Sequence, residues 1–401
     1  MAHARSILAA AAALVVLPSV APAQPEYTVT EVPRPPNTLI LFPLAMNNHA
    51  EVVGWVMLNE PGGLTYPWRW SAASGTVVMP SPAGNGQRNR AADINDAGVI
   101  VGDGYDNSGG PWVYQNGQYS IILPASGETK GHGNAINSSG VAVGAFAAGT
   151  GNRSFIKAPG AAAAGIDPLT DNQAISINDS SVVAGAIGAT AGFVWDEAGG
   201  MTMIPGLNET WTRMGVAKIN SAGLVLGNSA PYFGGNTSVP YLYTRHGTPL
   251  PLQQIAARTR GLGLNDLGHA VGEGHDSTGY RGWVYTPERG MRLLTPLIDP
   301  GLGWTIETAI DINNAGQIVA HARRAGTTYS HVLLLTPARA CYANCDSSQS
   351  PPVLNVADFS CFLQKYAAGD AYANCDESAE PPVLNVADFS CFLQRYAAGC
   401  P

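Results

Sequence analysis

A nine-residue phrase recurs seven times between residues 46 and 320: an apolar residue, an Asn, a short turn with Gly or a small residue at its fourth place, and an apolar run that closes on Gly or Ala. It reads MNNHAEVVG from Met46, INDAGVIVG from Ile94, INSSGVAVG from Ile136, INDSSVVAG from Ile177, INSAGLVLG from Ile219, LNDLGHAVG from Leu264 and INNAGQIVA from Ile312. The anchoring residues Asn47, Asn95, Asn137, Asn178, Asn220, Asn265 and Asn313 are 48, 42, 41, 42, 45 and 48 positions apart. A repeat of this length marks one supersecondary unit that buries its apolar surface only against its neighbours. That requirement constrains the fold more than any local propensity does.

An aromatic strand follows most phrases, as in Pro67-Trp68-Arg69-Trp70, Pro111-Trp112-Val113-Tyr114, Gly192-Phe193-Val194-Trp195, Pro240-Tyr241-Leu242-Tyr243 and Gly282-Trp283-Val284-Tyr285. Gly turns at Gly75, Gly117, Gly200 and Gly290 then lead into another strand. Short apolar strands cut by Gly, Asn and Pro turns are consecutive antiparallel pairs. Three or four of them in roughly 44 residues make one propeller blade. The spacing therefore predicts a mainly β, seven-bladed β-propeller over residues 24–336. Asn and Gly of the phrase have a turn-making role, the Asn side chain bonding main chain two residues on and the Gly taking positive φ. Turn chemistry accounts for the seven asparagines without a metal site or a catalytic ring. The seventh repeat lacks a last strand after His331 to Thr336, and Tyr27 to Pro33 is expected to complete that blade and close the ring.

Charged residues are only 12% of the chain, with 47 Gly and 29 Pro, which excludes a disordered acidic protein and a helical one. A formal charge of -8 with no dense basic block argues against nucleic acid as a partner. Residues 1–23 have the anatomy of a secretory signal peptide: a basic start at His3 and Arg5, an apolar run from Ile7 to Leu17, and small residues at Ala21 and Ala23. No later stretch approaches the ~20 apolar residues of a membrane span. The expectation is an exported, secreted or cell-surface protein with no transmembrane segment once the signal is removed.

The I-N-x-x-G-x-V-V-G phrase followed by an aromatic strand resembles the HAF repeats of predicted bacterial extracellular proteins, over most of residues 27–336. The His-Ala-Phe triplet is degenerate here, reading Tyr66-Pro67-Trp68, Gly110-Pro111-Trp112, Arg153-Ser154-Phe155, Ala191-Gly192-Phe193 and Arg281-Gly282-Trp283. The resemblance implies a fold and a location, and no catalytic residues.

After a short linker at 337–340, Tyr342 to Asp370 returns as Tyr372 to Cys400 with 24 of 29 positions identical. In each copy LNVADFSCFLQ has helical spacing, with Phe359, Phe362, Leu363 and Tyr366, and again Phe389, Phe392, Leu393 and Tyr396, forming an apolar face. Oxygen-bearing residues cluster ahead of each helix: Asp346, Ser348, Ser350, Val353, Asn355 and Asp358 in the first copy, Asp376, Ser378, Glu380, Val383, Asn385 and Asp388 in the second. Set against an EF-hand loop these are the calcium donors, although Asp346 to Asp358 spans thirteen residues and Pro351-Pro352 stands where Gly is expected. Two such loops, each with one helix and with NCD, DFxCF and AAGC motifs, resemble the GC-type dockerins of exported planctomycete proteins, over residues 341–400. That resemblance implies a calcium-binding tail that docks a cohesin-like or cell-surface receptor. The symmetric cysteine pairing is Cys345 with Cys361, Cys375 with Cys391 and Cys341 with Cys400; a cross-repeat Cys345–Cys391 pairing is the main rival.

Three functions remain open at this level: a non-catalytic binding or scaffold propeller displayed through its tail, a secreted polysaccharide-active enzyme, and a structural surface or matrix protein. The histidines fall at unrelated repeat positions and no nucleophile motif occurs, which favours binding over chemistry. The segments leading into the phrases carry Arg88, Arg90, Lys130, His132, Trp211, Arg213, Arg258, Arg260 and Trp304. Arginines with aromatics suit an acidic polysaccharide, so these residues form the expected ligand-binding face.

Overall fold

A computed structural model describes residues 25–338 and 343–398, apart from 83–87, 105–108, 125–126, 150, 167–170, 189, 232–236, 278, 347–353, 377 and 379–380. The signal-peptide region, Cys341, Cys400, Ser348, Ser350, Val353 and Glu380 lie outside the described residues. The chain separates into a unit of Pro25–Ala338 and a C-terminal unit beginning at Arg339.

Pro25–Ala338 is a seven-bladed β-propeller of seven four-stranded antiparallel sheets. In blade 1 the strands run Thr38–Met46, Val52–Leu58, Thr65–Ser71 and Gly75–Val78, from the axis outward. Every phrase is the turn between the first two strands of a blade, so the seven innermost strands all end at the same rim of the ring. In blade 7, Trp304–Ile312, Ile318–Arg324 and His331–Pro337 are completed by Tyr27–Glu31, paired from Tyr27 opposite Pro337 to Glu31 opposite Leu333. The ring thus closes through the N-terminal strand, which leaves its two ends hydrogen-bonded to each other rather than as open edges.

The phrase's closing Gly has a packing cause. Gly54, Gly102, Gly144, Gly185, Gly227 and Gly272 each stand directly across from an aromatic of the third strand, respectively Trp68, Trp112, Phe155, Phe193, Tyr241 and Trp283. A Cβ at Gly272 would collide with the carbonyl of Arg260 on the innermost strand and come within 2.7 Å of the Trp283 ring. Blade 7 changes both members together, pairing Ala320 with Leu333. These aromatics are fully buried and fill the blade interfaces, where most of the apolar area leaves water.

In the C-terminal unit the helices α1 (Val356–Ala367) and α2 (Val386–Ala398) pack through Phe362 and Phe392, which are fully buried and stacked with centroids 4.1 Å apart. The disulfides Cys345–Cys361 and Cys375–Cys391 tie each helix to the segment before it, in the symmetric intra-repeat arrangement. The apolar face is narrower than the spacing suggests: Leu363 and Leu393 are 42% exposed, because the minimal core ends at the phenylalanines.

Candidate functional site: the axial channel

The anchoring asparagines form a closed ring. Each side-chain amide donates to the main-chain carbonyl of the next blade's Asn, from Asn47 to Asn95 (3.1 Å), to Asn137 (2.9 Å), Asn178 (3.2 Å), Asn220 (3.0 Å), Asn265 (3.1 Å), Asn313 (3.0 Å) and back to Asn47 (3.3 Å). The same side chain's Oδ1 holds its own turn; that of Asn178 accepts from Ser180 N–H (3.1 Å) and Val182 N–H (2.9 Å). A turn alone would accept Asp. Reaching the neighbouring carbonyl requires a donor on the same short side chain, which only the amide supplies.

One position further, five main-chain N–H groups donate to the corresponding side chain of the next blade, for example Asn48 to Asp96 (2.8 Å) and Ser221 to Asp266 (2.8 Å). This layer brings Asp96, Asp179 and Asp266 to the turn rim. Burial raises the Asp266 carboxyl, but hydrogen bonds from Ser221 and Asn314 outweigh it and hold the group below its usual range.

Deeper in the channel a β-bulge recurs in all seven innermost strands, at Leu44, Ala92, Asn134, Ile175, Ala217, Leu262 and Ile310. A bulge puts two residues against one on the partner strand and re-aims side chains locally. The residues two before the anchoring Asn are Ala45, Asp93, Ala135, Ser176, Lys218, Gly263 and Asp311. Most are small, and the three exceptions meet: Lys218 Nζ lies 3.7 Å from Asp93 Oδ1 and 3.8 Å from Asp311 Oδ2. Asp93 also accepts from Ile136 N–H (3.0 Å), and Asp311 from Met46 N–H (3.1 Å) and Ile312 N–H (3.0 Å). Gly263 leaves the room that the Asp311 carboxylate needs, since a Cβ there would sit 2.8 Å from Asp311 Oδ1. Burial weakens the hold of Lys218 on its proton, and Asp311 and Asp93 more than restore it, so the ammonium stays charged. Burial raises the Asp311 carboxyl, offset in part by Lys218.

Asp93, Lys218 and Asp311 line both the chamber at the Asn ring, about 160 Å³, and the chamber beyond it, about 350 Å³. They form a transverse bar joining blades 2, 5 and 7. Motif reading missed these three residues. Aligning the seven phrases on their Asn and reading the column two places upstream would have shown three charges among small residues.

The expected ligand-binding residues are partly brought together. Arg90, His132 and Arg260 occupy equivalent places on innermost strands, and each already faces a carboxylate of the propeller. Arg90 grips the fully buried Asp103 with two bonds of 2.9 and 3.0 Å, His132 Nδ1 lies 3.5 Å from the same carboxylate, and Arg260 lies 3.9 Å from Glu273. Arg88, Lys130, Arg213 and Arg258 stand at the upstream rim, where Lys130 and Arg213 are exposed and Trp211 is half-buried. Trp304 is a correction: it is a core residue, 9% exposed, packed edge-on to His331 (4.8 Å) under the Arg324 guanidinium (5.1 Å), because it opens the long strand that seals blade 7.

In the C-terminal unit the expected calcium donors serve the helices. Asn355 is the N-cap of α1 and Asp358 lies inside its first turn, accepting from Asn355 N–H (2.9 Å) and Asp346 N–H (3.3 Å). Asp388 repeats this with Asn385 N–H (2.8 Å) and Asp376 N–H (3.3 Å). Burial raises the Asp388 carboxyl, and these main-chain bonds reverse that and hold it low. Ser378 Oγ donates to the carbonyl of Val383 (3.1 Å), so two further expected donors are bound to each other. Among the described residues no three Asp, Glu, His or Cys side chains gather as a metal site requires; Ser348, Ser350, Val353 and Glu380 of the expected donor set lie outside those residues.

Neither a protein-family model nor a curated protein matches the sequence. Among solved structures, an oligogalacturonate lyase in complex with manganese is similar with a TM-score of 0.53 at 12% identity, over 79% of this chain and 95% of that one. A streptogramin B lyase gives 0.50 at 10% identity, over 77% and 97%. TolB from Acinetobacter baumannii gives 0.44 at 9% identity, over 61% of this chain and 64% of TolB, less than two thirds of its length. Likeness at such identities is one of fold, and it agrees with the architecture: this is a β-propeller protein.

Proposed function

We propose that this protein is an exported, non-catalytic binding or scaffold propeller that captures an acidic polysaccharide on its upstream rim and is attached to a partner through its dockerin-like tail. The observation that carries the reading is the mutual commitment of the channel's charges: Lys218 with Asp93 and Asp311, Arg90 with Asp103, and Arg260 with Glu273. Ionisable side chains paired with one another in this way have a use in holding the propeller together that needs no substrate. Lys218 ties blades 2, 5 and 7 together, the Arg90–Asp103 and Arg260–Glu273 pairs each brace two strands of one blade, and the exposed cations lie outside the channel. The tail's duplicated sequence supports attachment to a cohesin-like or cell-surface receptor. Each oxygen of Asp358 and Asp388 accepts a main-chain N–H and keeps a further lone pair that a calcium ion there would use.

The test is affinity electrophoresis of the full chain in gels holding alginate, with neutral dextran as control. Retardation by alginate that is lost in Trp211→Ala/Arg213→Ala, with an unchanged melting curve and no fall in alginate chain length, supports the reading. Shortening of the alginate chains would favour the enzyme alternative. No retardation in either gel would favour a structural role.

A further inference from the structure

A second recess lies on the flank of the ring between blades 3 and 4, away from the channel, with a volume of about 580 Å³. It exists because the outer strand of blade 3 is only Ala164–Gly165, paired to Ile156 and Phe155, whereas that of blade 4 runs Gly200–Met203. The consequence falls on one aromatic. Trp70, Trp195 and Tyr243 hold the same place in the third strands of blades 1, 4 and 5, each opposite the first valine of its second strand. Trp70 and Tyr243 are 5% and 2% exposed, whereas Trp195 is only partly buried and lines the recess beside the two-residue outer strand of blade 3.

The polar groups around that indole are uncommitted. Among the described residues neither the Trp195 N–H, the Ser180 and Ser181 hydroxyls nor the Glu197 carboxylate has a hydrogen-bond or ionic partner, and all four residues line the recess above Ile156 and Val182. By contrast the neighbouring Asp196 is held by Arg245. A partly open indole over an apolar floor, ringed by one N–H donor, two hydroxyls and one carboxylate, is complementary to a ligand with one apolar face and a dense rim of hydroxyls.

We infer that the blade 3–blade 4 recess is a binding site for a neutral saccharide, whose ring stacks on Trp195 while its hydroxyls bond Ser180, Ser181 and Glu197. The site is independent of the rim cations, and Glu197 would repel an acidic sugar, so the two sites select differently charged ligands.

Titration calorimetry of the full chain with cellotetraose, xylotetraose, mannotetraose and chitotetraose tests this. At least one should bind with a dissociation constant below about 1 mM; Trp195→Ala should weaken it at least tenfold and Trp195→Phe by less. Ala164→Leu, an exposed substitution that fills the recess, should also abolish binding, which covers the case of a poorly folded Trp195→Ala. Alginate retardation should be unchanged in both variants. No heat with any of the four sugars, or equal binding by Ala164→Leu and the wild type, would overturn the inference.

Discussion

The amide of Asn313 donates to the carbonyl of Asn47 across the seam where the two ends of the propeller meet, at 3.3 Å and 266 positions apart in sequence. The ring of asparagines is therefore complete, with each member serving its own turn and its neighbour's.

Removing one member should cost more than a turn. Asn178→Ala deletes bonds to Ser180, Val182 and Asn220 in a buried setting and leaves those groups unpaired, so a loss of about 2–4 kcal/mol is expected in equilibrium denaturation. Asn178→Asp keeps the acceptor and removes the donor; it should be no better than Ala, because it also buries a charge.

Ala50 and Ser181 occupy the fifth position of their phrases at φ 58°, where the other five copies have Gly at φ 74–79°. The left-handed region costs an L-residue about 1–2 kcal/mol. Ala50→Gly should therefore raise stability by up to about 1 kcal/mol, since added freedom of the unfolded chain offsets part of the gain, and a melting-temperature comparison reads it.

Lys218→Met leaves Asp93 and Asp311 facing each other without their cation. A loss of about 3 kcal/mol at pH 7 is expected. The Asp311 carboxyl, already raised by burial and held down by Lys218, should then rise further above its unfolded value. The penalty is thus full above that raised value and shrinks as acidification protonates the pair. Melting curves of variant and wild type should converge from pH 7 toward pH 4, and Asp93→Asn/Lys218→Met/Asp311→Asn should recover most of the loss.

His321, whose ring meets Phe42 edge-on at 4.4 Å, has its pKa pushed down by burial to about 4. The unfolded chain binds this proton more readily between that value and about 6.5, so the residue's contribution is intact above pH 6.5 and lost as pH falls toward 4. The slope corresponds to at most about 3 kcal/mol. His321→Gln should flatten stability over that window, read as the difference between the two pH–melting profiles.

Each disulfide of the C-terminal unit closes a loop with sequence separation 16. Such a closure contributes about 3 kcal/mol through the unfolded chain, and this unit has little else besides Phe362 and Phe392. Cys361→Ser/Cys391→Ser in the full chain should render residues 343–398 protease-sensitive while the propeller stays protected. Peptide mapping of the wild type should recover the Cys345–Cys361 and Cys375–Cys391 links.

Repeat number and the closing role of the segment Tyr27 to Pro33 were legible in the chain, because each follows from a periodic pattern of apolar strands and turns that has one economical closure. The intra-repeat cysteine pairing was legible for the same reason: a duplicated sequence folds twice in the same way. Asp358 and Asp388, expected just ahead of the helices, lie inside their first turns, since an acidic residue before a helix and one in its first turn leave the same trace in sequence.

What the sequence determined by itself was local and periodic: where the strands and turns fall, and that each unit repeats seven times. What only the tertiary structure decided was which distant side chains share a space. Closing seven blades on one axis, with a bulge in each innermost strand, brings Lys218 between Asp93 and Asp311, and shortening one outer strand opens the flank beside Trp195. Neither follows from spacing, because both depend on the distance between blades rather than along the chain.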